Sequence, residues 1–272
     1  MEIYNMFSNT ERLEYSTGRM EEERIIKLTN KGHAIVVGDI HGNFENLKII
    51  ERLFHETNYI LLFLGDYIDR GPKQLEVLKS IIEMKTEYSD QVFLLKGNHE
   101  SNILKPCPHD FDFLVSEKEK SLYELFFEKL PVVAFNNNLV FLHGGIPEIR
   151  GKYKIGMLKE KRLEMEIVWN DFNPSLREMF APNYERDPLG RIKYFSHVAV
   201  QKFLKDLGKL GIVRGHQYSL GVANKCIKHV CTLFTAGGKG GYEWYEGIEP
   251  CIAIVNLSRG NVCIERLPNE RY

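Results

Sequence analysis

Five short stretches of this chain combine glycine with side chains that ligate metals or move protons: Gly38-Asp39-Ile40-His41-Gly42, Gly65-Asp66-Tyr67-Ile68-Asp69-Arg70-Gly71, Gly97-Asn98-His99-Glu100, His143-Gly144-Gly145 and Arg214-Gly215-His216-Gln217. Asp39, His41, Asp66, Asn98, His143 and His216 supply imidazole nitrogen and oxygen donors without a thiolate. That mixture suits Mn, Fe, Zn or Ni better than a pure-oxygen cage for Mg or Ca. Six protein ligands are too many for one catalytic metal with an open position. They fit two metals sharing a carboxylate, with Asp66 as the natural bridge. Such a pair, ~3.5–4 Å apart, suits in-line displacement at phosphorus. Singly, each stretch is ordinary. Gly-Asp after a strand is usually a turn, His-Gly a surface loop, and Asp69-Arg70 an exposed ion pair worth little. Together, each behind an apolar run, they point to one metal centre.

Those runs define the elements that must position them. Ala34–Val37, Tyr59–Leu64 and Val92–Leu95 read as buried strands. Between them, Asn43–His55 carries apolar residues at helical spacing, and a helix starting near Pro72 turns Leu75, Leu78, Ile81 and Ile82 to one face. Strand, helix, strand, helix, strand implies βαβ crossovers and a parallel sheet. In such sheets ligands gather at the carboxyl ends of strands, where these motifs lie. Ser101–Leu130 reads as an inserted helical segment, and Asn136-Asn137-Asn138 as the turn of a hairpin joining Val132–Phe135 to Leu139–Leu142. Lys152–Trp169, Ser175–Phe180 and His197–Leu207 look helical, the last ending at Gly208. After Gly211 come strand patterns at Ile212–Val213, Ser219–Val222, Cys231–Thr235, Cys251–Leu257 and Val262–Leu267. The expected fold class is α/β, with two packed sheets and helices outside.

Composition sets the bounds. A chain of 272 residues, 43% hydrophobic, is long enough to bury a sizeable core. It is expected to form a single domain over 1–272, with residues 1–31 as an arm carrying a short charged helix near Met20–Leu28. The balance of 36 Lys+Arg against 37 Asp+Glu shows no global field for nucleic acid or an anionic membrane. No apolar run approaches the ~18 residues of a membrane span. The polar, acidic N-terminus lacks the pattern of a signal peptide, so the expected location is cytoplasmic. Cys107, Cys226, Cys231, Cys251 and Cys263 are odd in number and form no C-x-x-C pair, which suggests buried thiols in a reducing compartment. His33, His55, His109, His197 and His229 lie outside the motifs and are expected at the surface or in satisfied core positions. Tyr242-Glu243-Trp244-Tyr245 fits strand-edge packing better than a substrate groove.

On these motifs the chain resembles the phosphoprotein phosphatases, the serine/threonine phosphatases among the calcineurin-like metallophosphoesterases. The family's GDxHG, GDxxDRG, GNHE and HGG are met by Gly38–Gly42, Gly65–Gly71, Gly97–Glu100 and His143–Gly145. Its R-A-H-Q appears as Arg214–Gln217 with Gly215 for Ala, and Trp169-Asn170-Asp171 looks like its W-S-D loop. The resemblance runs from about Ile35 to Leu257. It implies a β-sandwich of two mixed sheets flanked by helices. It implies a first metal held by Asp39, His41 and Asp66, and a second by Asp66, Asn98, His143 and His216. Mn²⁺ is the expected ion, with Fe or Zn as alternatives. It makes His99 the general acid, oriented by Asp69, and has Arg70 and Asn98 bind phosphate.

Two departures stand out. The family's R-G-x-x-[FY]-T-F-G stretch, with its second phosphate-binding Arg, is replaced by Gly190–Ser196, where Arg191 is the first candidate and Arg186 the next. The family's S-A-P-N-Y loop is replaced by Thr235-Ala236-Gly237-Gly238-Lys239, with Tyr242 as a substitute for its Tyr. The function implied is hydrolysis of phosphoserine and phosphothreonine in phosphoproteins, with any regulatory subunits unidentified. A dinucleoside tetraphosphatase or other nucleotide phosphohydrolase is the alternative. Such relatives usually read GNHD and HAG, and Glu100 with Gly144-Gly145 favours the former reading. An inactive binding module is disfavoured because every ligand is present.

Overall fold

The computed structural model describes residues 24–218 and 221–268. Their centre is a pair of stacked sheets. In the first, β2 (His33–Val37), β3 (Ile60–Phe63) and β4 (Val92–Leu94) run parallel, while β13 (Cys251–Asn256) pairs antiparallel to β2 and to the edge strand β14 (Asn261–Arg266). In the second, β6 (Leu139–Leu142), β10 (Gly211–Arg214) and β12 (Val230–Thr232) run parallel. Beside them β5 (Val133–Phe135) and β11 (Lys225–Ile227) are antiparallel to β6 and β12, and β1 (Ile25–Lys27) lies parallel to β5 at the edge. The Asn136–Asn138 hairpin joins β5 to β6 as its turn residues require.

Alternation along these strands builds the layers. Ala34 and Val36 face between the sheets, against Ala134, Phe141 and Val213. Ile35 and Val37 face outward onto helix α1 (Phe44–His55) through Leu47, Ile50 and Phe54, and onto α2 (Gln74–Glu87) through Val77, Leu78 and Ile81. On the second sheet Val133, Val140, Leu142 and Ile212 meet Ile167 and the Val200, Phe203 and Leu204 face of α5 (His197–Leu207). A helix–sheet–sheet–helix stack results. Each large apolar side chain buried this way contributes about 1.5–3 kcal/mol. All the short motifs leave the carboxyl ends of β2, β3, β4, β6 and β10.

Several expectations need correction. Within 20–28, the described residues 25–27 form strand β1, since Ile25 and Ile26 are β-branched and β5 offers an open edge; the start of the expected helix lies outside the described residues. In Ser101–Leu130 only α3 (Glu117–Lys129) is α-helical, opened by a Ser116–Glu119 capping box, because Pro106 and Pro108 interrupt the preceding stretch. Lys152–Trp169 is α-helical only in α4 (Glu164–Trp169). Ser175–Phe180 is not helical: β7 (Asp171–Phe172) and β8 (Phe180–Pro182) flank β9 (Lys193–Phe195) in a small third sheet that claims this backbone. Residues 221–222 form a turn rather than a strand. Cys226 and Cys231 are not free thiols; they are register partners across β11 and β12 and are joined by a disulfide, while Cys107 and Cys263 are exposed. No helix among the described residues is long and apolar enough to cross a membrane.

Candidate active site

The backbone that leaves the strands is bent into unusual shapes. His41, Asp66, Asp69, Arg70 and His216 all take positive φ, between 42° and 74°. For residues other than glycine this is costly, and it persists only where neighbours enforce it. Glu100 does so at the centre: its buried carboxylate accepts the backbone N–H groups of Asp66 at 2.9 Å, Tyr67 at 2.8 Å and Gly97 at 2.9 Å. Gly97 must be glycine, because a β-carbon there would fall 2.1 Å from Asp66 Oδ1. The start of α1 is fixed differently. Asn43 caps it by accepting from Asn46 N–H, and Asn46 Nδ2 donates to Thr235 O at 2.7 Å and Gly237 O at 2.9 Å. The 235–237 loop is thereby tied to the turn that carries Asp39 and His41.

Asp39, His41, Asp66, Asn98, His143 and His216 converge, each at most 5% exposed. Each imidazole uses one nitrogen to donate to a backbone carbonyl, which fixes its tautomer. His41 Nδ1 donates to Ile68 O at 2.8 Å, His143 Nδ1 to Leu64 O at 3.2 Å and His216 Nε2 to Trp169 O at 3.1 Å. Their remaining nitrogens are bare lone pairs that point inward. His41 Nε2 lies 3.5 Å from Asp66 Oδ2 and 4.0 Å from Asp39 Oδ2. His143 Nε2 lies 3.3 Å from the same Asp66 oxygen and 3.2 Å from His216 Nδ1. Asn98 Oδ1 sits 2.9 Å and 2.8 Å from these two nitrogens.

Acceptors thus face acceptors with no hydrogen between them, which is repulsive unless a cation lies among them. The contacts of 3.2–3.5 Å among Asp66, His41, His143 and His216 match donors around a metal with bonds of ~2.0–2.2 Å, which stand roughly 3–3.5 Å apart, while Asn98 Oδ1 lies slightly closer at 2.8 and 2.9 Å and Asp39 farther at 4.0 Å. Asp66 Oδ2 belongs to both groups, the position a bridging ligand must hold. Burial also pushes Asp39 up to about 6 and raises Asp66, while burial drives His41, His143 and His216 below the ordinary histidine value. Metal binding needs neutral imidazoles and ionised carboxylates, and a cation among these groups would offset the cost of burying the carboxylate charge. The donor set fits divalent metal ions.

Beside the donors stands a second group. His99 Nδ1 donates to Asp69 Oδ2 at 2.5 Å, and its Nε2 lies 3.9 Å from Asp66 Oδ2. Arg70 Nη2 lies 3.3 Å from His99 Nε2, its Nη1 donates to the Tyr245 hydroxyl, and its buried Nε has no protein partner. Tyr245 is 2% exposed and packs on Phe234, with Tyr242 edge-on to it. Tyr245, rather than Tyr242, therefore places an aromatic hydroxyl at Arg70. Arg191 spends its fork on Asp187, at 2.9 and 3.0 Å. Arg186 turns the other way: it binds Asp171 at 2.9 and 3.3 Å, and Asp171 Oδ1 stands 3.5 Å from His216 Nε2. Its charge is felt at Asp66, His99 and His216. The motifs mark neither Tyr245 nor the structural role of Glu100, and His109, expected at the surface or in a satisfied core position, is part-buried with Nδ1 2.7 Å from Asp69 Oδ2. The aromatic stretch pointed to Tyr245; nothing local pointed to His109.

Residues 33–220 match the Calcineurin-like phosphoesterase family. A Schizosaccharomyces pombe protein, provisionally named a serine/threonine-protein phosphatase, is 33% identical over 73% of this chain and 66% of its own length. The Candida albicans PP2A-like serine/threonine-protein phosphatase PPG1 is 29% identical over 67% of this chain and 46% of its own length. The chain thus spans between about half and two thirds of these relatives. Among solved structures, a Saccharomyces cerevisiae protein serine/threonine phosphatase with similarity to human phosphatase PP5 superposes with a TM-score of 0.76. It is 21% identical, with 99% of this chain and 89% of that one covered. A cold-active protein-tyrosine phosphatase of a Shewanella species superposes with a TM-score of 0.55 at 14% identity, covering 92% and 83%. Motifs, metal-ligand geometry and the matched span agree: the chain belongs to the calcineurin-like phosphoesterases.

Proposed function

We propose that this protein is a serine/threonine protein phosphatase working with two divalent metal ions, most readily Mn²⁺, in the cytoplasm. The observation that carries the phosphoesterase chemistry is the placement of Arg70 and the Asp69-bound His99 against the shared carboxylate Asp66. The names of its relatives support phosphoprotein as the substrate class. Asp39, His41 and Asp66 would hold one metal, and Asp66, Asn98, His143 and His216 the other. Bound there, the metals supply positive charge at the phosphoryl group and activate water for attack on phosphorus.

The chain's own groups handle the rest. Arg70 keeps unspent N–H donors for two phosphoryl oxygens, as a planar guanidinium can. Asn98 turns its Oδ1 to the histidines, so its amide N–H₂ is the group left for substrate oxygen. Arg186, anchored by Asp171, is the second phosphate-binding arginine in place of Arg191. His99 delivers a proton from Nε2 to the leaving oxygen. Burial first, and then Arg70, hold His99 well below the ordinary histidine value. An arriving phosphate dianion offsets Arg70 and so favours the imidazolium that the reaction needs.

The test is a panel of phosphoserine, phosphothreonine and phosphotyrosine peptides, diadenosine tetraphosphate and nucleotides. Each is assayed as kcat/KM with Mn²⁺ and again with chelator. The highest value should fall on the phosphoserine or phosphothreonine peptides, and chelator should abolish it. A preference for the dinucleotide, or full activity in protein shown to be metal-free, would overturn the proposal.

A further inference from the structure

Asp69 has two histidines. Its carboxylate is fully buried, and Oδ2 accepts from His99 Nδ1 at 2.5 Å and from His109 Nδ1 at 2.7 Å. Oδ1 accepts the backbone N–H of Phe111 at 2.9 Å. A carboxylate oxygen offers two lone pairs, so the imidazoles fill Oδ2 between them. The same segment grips the turn a second time. Asp110 accepts Arg70 N–H at 2.9 Å through Oδ1, and Gln74 Nε2 at 3.0 Å through Oδ2. His109 is itself held from outside, its Nε2 lying 3.2 Å from Asp112 Oδ1 and 3.2 Å from Lys105 Nζ. Asp112 in turn is anchored by Lys120 at 2.6 Å.

Asp69, His99 and His109 make up a cluster of metal-binding types, but its distances are those of hydrogen bonds. Donors around one metal stand roughly 3–3.5 Å apart. Here both Nδ1 atoms approach one oxygen within 2.7 Å. Hydrogens therefore lie between these atoms, unlike the acceptor-against-acceptor contacts of the metal centre.

We propose that His109 is a positioning residue for the general acid: its Nδ1–H locks the Asp69 carboxylate, which holds the His99 ring with Nε2 facing the leaving oxygen. The inference rests on the reading of His99 as the acid. Without His109, one lone pair of a buried carboxylate loses its partner, and Asp69 can tilt about its bond to Phe111. Metal ligands and Arg70 are untouched. The deficit should therefore appear in the step that needs a proton and not in binding.

Four metal-loaded proteins test it: the parent, His99→Asn, His109→Ala and His109→Asn. Each is measured for kcat and KM on a phosphoserine peptide and on p-nitrophenyl phosphate, and for metal content. A serine alkoxide needs a proton on leaving, whereas p-nitrophenolate needs little help. General acid catalysis is worth roughly 10²–10⁴-fold where required, and His109→Ala should forfeit about tenfold of it in kcat on the peptide, with less than about twofold on p-nitrophenyl phosphate. KM and metal content should not move. His109→Asn, whose amide N–H occupies the place of Nδ1–H, should recover most of the loss. Equal losses on both substrates, no loss on the peptide, or no rescue by asparagine would overturn the inference. If His99→Asn discriminates between the substrates and His109→Ala does not, the inference fails alone. If His99→Asn does not discriminate, the acid assignment fails first and takes the inference with it.

Discussion

Glu100→Gln removes a negative charge that holds three backbone N–H groups together, those of Asp66, Tyr67 and Gly97. The amide can keep one acceptor oxygen. In its better orientation that oxygen retains Asp66 and Gly97, and the new NH₂ faces the N–H of Tyr67, donor against donor. Losing one charge-assisted bond costs about 1.5–3 kcal/mol, and reducing two others to neutral ones costs roughly 0.5 kcal/mol each. The expected loss is about 2.5–4 kcal/mol, a large share of a typical stability of about 5–15 kcal/mol. Urea unfolding followed by far-ultraviolet circular dichroism reads it. Burial raises the Glu100 carboxyl, so relief of the buried charge offsets part of this loss, and the measurement belongs at pH 8, where the parent is ionised. Chelator in both samples keeps metal binding from adding to the difference. Glu100→Asp, one methylene shorter, should also fail to span the three donors. A loss below about 1 kcal/mol with unchanged m in the glutamine variant would show that the carboxylate does not hold the Asp66 turn.

Asp66→Asn should lower metal content more than Asp39→Asn, because Asp66 Oδ2 faces both His41 and His143; elemental analysis of the two variants checks this, and two retained metals in Asp66→Asn would contradict the bridge. Arg186→Ala should weaken inhibition by inorganic phosphate about tenfold or more, as loss of a charge-assisted bond implies, whereas Arg191→Ala should leave it unchanged. Thiol titration in denaturant should count three free cysteines before reduction and five after, following the Cys226–Cys231 bond.

The residues that converge at the candidate site were legible in the sequence because each sits within a few residues of a strand end, and an apolar run followed by Gly and His or Asp is a local pattern. The layers were legible for the same reason: alternation in Ala34–Val37 and helical spacing in Asn43–His55 operate over a few residues. Before Glu117 in Ser101–Leu130, before Glu164 in Lys152–Trp169, and at Ser175–Phe180 the helical reading failed; prolines interrupt the first stretch and β9 claims the backbone of the last. Which residues serve the reactive ones was decided only by tertiary structure. Tyr245 meets Arg70 across 175 positions, and His109 reaches Asp69 across 40. Arg186 and Arg191 lie five positions apart in sequence, yet only the former turns toward the donors, because Asp171 draws it inward and Asp187 claims the other. Such choices depend on where charges and hydrogen-bond donors end up after the sheets have packed. A carboxylate within reach selects its cation by distance and burial, and neither quantity exists along an unfolded chain.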